Sequence, residues 1–133
     1  MKSFNLKIVT PDGICYTGEV ESLLVHTETG DVEFLAGHID FIGSLTAGRV
    51  RIKENGRDRL AAGSGGTVAF TGGAATLAAV TFEFSENIDL ERAMRAKEAA
   101  EERIKTEKNT NRLLLAEAKL QRALLRIKIA NTK

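Results

Sequence analysis

Asn87-Ile88-Asp89-Leu90-Glu91-Arg92-Ala93 is the stretch where the chain changes character, and reading it decides the fold. Asp89 is an N-cap residue type, its short carboxylate suited to accept from a backbone N–H in the first helical turn. Ile88 before it and Ala93 four residues beyond it stand at the positions of a hydrophobic staple. A helix is therefore expected to start here. Upstream the text is glycine-rich and strand-patterned, and none of the twelve glycines lies beyond Gly73. Downstream it is dominated by Ala, Leu, Lys, Arg and Glu. The reading is an α+β protein with a boundary between residues 1–85 and 86–133.

Working upstream, Phe4, Leu6 and Ile8 alternate with polar residues, and Pro11-Asp12-Gly13 supplies turn chemistry. Further strands are expected over Val20 to His26, Asp31 to Leu35, Arg49 to Lys53, Thr67 to Thr71 and Leu77 to Phe84. Val50 and Ile52 point one way, and Arg49, Arg51 and Lys53 the other. Asn55-Gly56 is a hairpin signal, because both residue types accept the positive φ of a type I′ turn. Val80, Phe82 and Phe84 are expected on one face of the last strand. Many short strands with frequent turns and no βαβ spacing describe an antiparallel β-sandwich or flattened barrel.

Working downstream, Leu90, Ala93, Ala96, Ala100 and Ile104 recur at intervals of three and four, which is one side of a helix. That stripe is mostly alanine and permits close approach by a neighbour. Residues 106–111 are polar and read as a turn. A second helix is expected from about Arg112 to Ala130, giving an antiparallel helical hairpin. On it Leu113, Ala116, Leu120, Ala123, Leu124 and Ile127 form one apolar stripe. Leu114, Ala118, Leu125 and Ile129 form another. One stripe serves the first helix, and the second needs the sandwich or a partner.

Composition narrows the function classes. At 133 residues with 43% hydrophobic content, the chain is one ordinary domain or two small ones. Residues 1–85 carry 7 Lys/Arg against 10 Asp/Glu, and residues 86–133 carry 12 against 8, so the near-zero net charge hides a basic C-terminal half. No acid follows Glu117, whereas Lys119, Arg122, Arg126 and Lys128 do. This suits a solvated helix face, or a dock for an acidic partner or a phosphate. Nucleic acid is disfavoured, since the tail has no interleaved aromatics. Cys15 is alone, which excludes an internal disulfide, and is expected to pack as a small hydrophobe. Met1-Lys2-Ser3-Phe4-Asn5 has no apolar signal core, and no apolar run approaches a membrane span. A soluble cytoplasmic chain is expected, meeting a membrane only through a complex.

Catalytic patterns find no support. The glycine cluster lacks the Gly-Lys-Ser/Thr ending of a P-loop, and no Gly-x-Gly-x-x-Gly opens a helix. His26 and His38 lack ligand spacing to a Cys or carboxylate, so no metal site is assigned, and His38 is read as a hydrogen-bonding loop residue. Binding chemistry is better served. Asp89 can cap its helix or read an adenine amino group or ribose hydroxyl. Arg92 lies near the positive end of the first helix, where phosphate is favoured. Arg122 and Arg126 are spaced i, i+4 and could both reach a triphosphate, or form a solvated face.

The text resembles the epsilon subunit of bacterial F-type ATP synthase over nearly its whole length. Phe4 to Gly18 is similar to that family's opening strand pair. Gly37-His38 stands where the family has a Pro-Gly-His trio, and Gly63-Ser64-Gly65-Gly66 where an sGG turn is common. Ile88-Asp89-Leu90-Glu91-Arg92-Ala93 fits the [IL]-D-x-x-R-A motif of members that bind ATP. The resemblance implies a noncatalytic rotor subunit coupling ion translocation to ATP synthesis at the cytoplasmic face of the bacterial cell membrane. The partners it implies are the gamma subunit, the c-ring and the beta subunit. It implies no required cofactor. It makes ATP a regulatory ligand at Glu83, Ile88, Asp89, Arg92, Ala93, Arg122 and Arg126, and makes the hairpin an inhibitor of ATP hydrolysis. Ala36 and Ala47 replace family prolines and Glu33 a frequent glycine, changes that leave the expected fold as it is. Ala99 stands near where some members place a further basic residue, which lowers the expected affinity. Two other readings from the residues are a β-sandwich adaptor whose hairpin is a permanent docking or dimerisation arm, and a small metal-dependent sandwich enzyme.

Overall fold

A computed structural model describes residues 2–132. The chain divides into two compact units, Met1–Phe84 and Ser85–Lys133. The first holds ten strands among its described residues: β1 (Phe4–Thr10), β2 (Gly13–Val20), β3 (Ser22–Thr27), β4 (Gly30–Leu35), β5 (Phe41–Ser44), β6 (Gly48–Glu54), β7 (Arg57–Ser64), β8 (Thr67–Thr71), β9 (Ala74–Ala78) and β10 (Thr81–Phe84). They form two five-stranded sheets, ordered β2-β1-β9-β8-β5 and β10-β7-β6-β3-β4. All pairings are antiparallel except β1 with β9. The expected antiparallel sandwich therefore contains one parallel contact, where the first strand lies beside a late one.

Period-2 patterning places the core. Phe4, Leu6 and Ile8 on β1, and Val50 and Ile52 on β6, are buried, while Arg49 faces solvent. Phe34 from one sheet stacks on Phe70 from the other, with ring centroids 5.6 Å apart, and Phe4 meets Phe70 edge-on at 5.3 Å. Such contacts add to area burial, the Phe34–Phe70 stack between the two sheets and the Phe4–Phe70 contact within one. His38 leans on Phe34 and Phe70, and its Nδ1 lies 2.7 Å from the Ile39 carbonyl, so its hydrogen-bonding loop role is met. Asn55 (φ 50°) and Gly56 (φ 77°) close the β6–β7 hairpin in the expected positive-φ geometry.

Three expectations need correction. Val20 to His26 is two strands in different sheets, because the chain changes sheet at Glu21, whose N–H donates to the Lys53 carbonyl. Leu77 to Phe84 is likewise split into β9 and β10. Ala79 N–H bonds to Val9 in one sheet and Val80 N–H to Ser64 in the other, so Val80 lies at the crossover and is exposed. It does not share a strand face with Phe82 and Phe84. Cys15 is exposed on edge strand β2, with its Sγ 3.6 Å from Thr10 Oγ1, rather than packed as a core hydrophobe.

The second unit opens with a 3-10 turn, Ser85–Asn87, followed by α1 (Leu90–Thr106) and α2 (Thr110–Asn131). Each helix has a side-chain cap: Asp89 Oδ1 accepts from Arg92 N–H, and Asn109 Oδ1 from Arg112 N–H, both at 3.1 Å. The connection is shorter than expected because Asn109 serves as the cap and Thr110 and Asn111 are already helical. Ala93 and Ala100 are buried on α1, and Ala116 and Ala123 on α2. These pairs repeat every seven residues and fall symmetrically about the turn. They form the small-residue seam along which two helices approach closely.

Candidate functional site

The hairpin seam leaves one side of the helix pair open as a cleft of about 370 Å³. At 100° per residue, Ala96, Ala99 and Arg103 share a side of α1, and Arg112, Leu115, Lys119, Arg122 and Arg126 share a side of α2. Alanines 96, 99, 100 and 116 make its floor, and Arg103, Arg112, Lys119, Arg122 and Arg126 its charged wall. Five cations and no carboxylate line the cleft. Its size falls in the range of small-molecule sites. Small side chains on the floor keep the cleft open between the long basic side chains of its wall. The chemistry this arrangement offers is anion binding.

The two ends of the cleft differ. At the turn, Arg103 Nε lies 3.6 Å from the Glu107 carboxylate. The Glu107 carboxyl is held below the usual glutamate range, first by the Asn109 backbone N–H, then by the charges of Arg112 and Arg103. Farther along, Arg122 and Arg126 are half-buried, and among the described residues Lys119 and Arg122 make no ion pair. The other side of the hairpin is different in kind. A smaller cleft of about 150 Å³ is lined there by Met94, Lys97, Glu98, Leu124 and Ile127, with Met94 and Leu124 exposed. Leu114, on the second stripe expected for α2, is exposed, and Ile129 is buried.

The site residues expected from sequence are placed as follows. Arg122 and Arg126 stand together in the cleft, as their i, i+4 spacing requires. Ile88 and Asp89 precede α1, and Arg92 lies exposed in its first turn on the same side as Ala96, Ala99 and Arg103. None of these three lines the cleft itself. Asp89 uses one carboxylate oxygen as the helix cap. Ala93 is buried in the seam, with its N–H bonded to the Asp89 carbonyl at 3.0 Å. Glu83 belongs to the first unit, on β10 opposite Ala62. Arg103 and Arg112 were missed in the sequence reading. The signal was present as the run 112, 115, 119, 122, 126 on one helical face, but the polar turn beside it hid its first member.

Comparison with known proteins matches this architecture unit by unit. Residues 3–85 match the family model of the ATP synthase delta/epsilon chain beta-sandwich domain, and residues 86–131 that of its long alpha-helix domain. The ATP synthase epsilon chain of Bacillus velezensis is 40% identical over 130 residues, covering 98% of both chains. That of Ruminococcus albus is 36% identical over 134 residues, covering the whole of each. Among solved structures, a chain of the Euglena gracilis mitochondrial ATP synthase superposes with TM-score 0.77 at 22% identity, covering 90% of this chain and 76% of that one. One from the Tetrahymena thermophila mitochondrial ATP synthase central stalk and c-ring gives 0.66 at 10% identity, with 98% of each covered. At those identities the structures speak to the fold, and the sequence relatives carry the assignment. The chain belongs to the ATP synthase epsilon-chain family, a noncatalytic subunit of that complex.

Proposed function

We propose that the chain is a central-stalk rotor element whose hairpin is an ATP-sensitive brake on hydrolysis. The observation that carries the second part is the cationic cleft along the hairpin, with Arg122 and Arg126 in its wall. The sandwich is the constant part, gripping the gamma subunit and the c-ring. Its exposed Leu35, Ile39 and Ile42 fall within eight residues of one another and offer apolar surface to such a partner. Among the described residues no helix is long and apolar enough to cross a membrane. Attachment at the cytoplasmic face of the bacterial membrane then runs through those protein contacts.

The hairpin is the variable part. Its seam is built from alanines, each burying little area, so the helix pair is held modestly. Exposed Leu114, Leu115 and Leu124 suit a second dock when the hairpin extends along gamma, and the basic side of α2 suits an acidic segment of the beta subunit. ATP held by Asp89, Arg92, Arg122 and Arg126, with Ile88 and Ala93 beside them, favours the folded hairpin. A ligand present at a hundred times its Kd contributes about 2.7 kcal/mol, enough to switch two forms that differ by a similar amount. Removing everything after Ser85 from the reconstituted complex tests the brake. The expected result is faster ATP hydrolysis with assembly intact, and unchanged hydrolysis would overturn it.

A further inference from the structure

The cation row is longer than a triphosphate needs. From Arg112 to Arg126 it follows α2 for fourteen residues, roughly 21 Å at 1.5 Å per residue. Arg122 and Arg126 occupy only the end nearest the start of α1. Lys119 continues the row, and Arg103 and Arg112 close it at the turn, over a floor of Ala96, Ala99 and Ala116. Nothing in the nucleotide reading uses these three cations. No carboxylate lines the cleft, and beside its turn end the Glu107 carboxylate lies 3.6 Å from Arg103 Nε and within the electrostatic reach of Arg112. Lys119 and Arg122, three residues apart on one helix face, repel each other unless an anion offsets them. The occupant this row fits is a flexible linear polyanion with a charge on each short repeat and no bulky side groups, since alanines leave only a shallow floor.

We infer that the cleft holds a linear phosphate chain longer than three units, with Arg103, Arg112 and Lys119 binding the phosphates beyond those at Arg122 and Arg126. Two sources supply such a chain: inorganic polyphosphate, or a nucleoside carrying four or more phosphates. The inference rests on the nucleotide reading only for the Arg122 and Arg126 end. Guanidinium forks bind phosphate oxygens in pairs, so each added phosphate that reaches an arginine adds charge-assisted hydrogen bonds.

The test is calorimetry on the full chain at fixed ionic strength, with inorganic pyrophosphate, tripolyphosphate and a longer polyphosphate in one series. ADP, ATP and adenosine tetraphosphate form the other. Affinity is expected to keep rising beyond three phosphates, about tenfold in total at one charge-assisted contact or more gained. Arg103→Gln with Arg112→Gln keeps much of each side-chain stem over the floor and should abolish that gain, leaving ATP affinity within about twofold. Lys105→Ala with Lys128→Ala removes the same charge from the opposite side of the hairpin and should leave the gain in place. A response that is flat beyond three phosphates, or one lost equally in both double variants, overturns the inference. If ATP binds but longer chains bind no better, the polyphosphate inference fails and the nucleotide reading stands. If tripolyphosphate and longer chains bind but ATP does not, the reverse holds.

Discussion

Asp89 has two roles that a pair of substitutions separates. Its Oδ1 accepts from Arg92 N–H at 3.1 Å at the mouth of α1. Asp89→Ala removes that acceptor and leaves water as the only substitute, costing the hairpin about 1 kcal/mol. Loss of the negative charge at the helix N-terminus adds about 0.3–1 kcal/mol. Asp89→Asn keeps an acceptor oxygen in place and loses only the charge, so its cost stays at the smaller figure. A difference of about 1 kcal/mol is a factor of roughly five in the open fraction. Amide hydrogen exchange read at Leu90 to Ala93 should show it: roughly ninefold to thirtyfold faster in the alanine variant, and roughly twofold to fivefold in the asparagine one. ATP binding should respond differently, falling in both, because a neutral amide cannot replace the carboxylate as acceptor from an adenine amino or ribose hydroxyl group at full strength. Exchange as fast in Asp89→Asn as in Asp89→Ala would refute the hydrogen-bonded cap, and wild-type exchange in both would refute any capping role.

Other outcomes follow from the sandwich and the turn. Gly66 sits at φ 91°, and a Cβ there would lie 1.8 Å from the Ala78 carbonyl oxygen, so Gly66→Ala should lower sandwich stability by more than about 2 kcal/mol in urea melts. Gly72, at φ 58° with open space around it, should lose only about 1 kcal/mol on the same change. Tyr16 is the one tyrosine, and burial, then its hydrogen bond to Glu54, pushes its phenol far above the usual range. Because the folded pKa is raised, this stability is complete below the ordinary value and is lost as pH rises. Absorbance titration should therefore show no tyrosinate near pH 10 while the sandwich stays folded. Glu107 is depressed instead, so its contribution to the turn is present above the ordinary glutamate pKa and is lost as pH falls through the lowered one. The amide resonance of Asn109 should titrate with a midpoint below the free glutamate value, and Glu107→Gln should abolish that titration.

Most of the architecture was legible because periodicity is a local property. Phe4, Leu6 and Ile8 announce a half-buried strand, and Asn55-Gly56 announces its own turn. Sheet crossings were not legible. At Glu21 and again at Ala79-Val80 the apolar text runs on while the backbone changes partners, and only the hydrogen bonds to Lys53, Val9 and Ser64 reveal it. The β1–β9 pairing joins strands far apart in sequence and leaves no local mark. Cys15 misled because a small apolar side chain on an edge strand reads like one in the core. In the hairpin, the capping function of Asp89 was readable from the residue type, and the i, i+4 spacing brought Arg122 and Arg126 together. Arg112 was masked by the polar turn beside it, and the contribution of Arg103 depends on how two helices lie side by side, which helical spacing within one segment does not report.

The central claim is that the hairpin carries a site for ATP, and titration calorimetry of the isolated chain with ATP tests it most directly. Wild type should bind, and Arg126→Ala should weaken binding by about tenfold or more, the worth of one charge-assisted phosphate contact. No heat from wild type at about millimolar ATP, a binding energy near 4 kcal/mol, would contradict the claim.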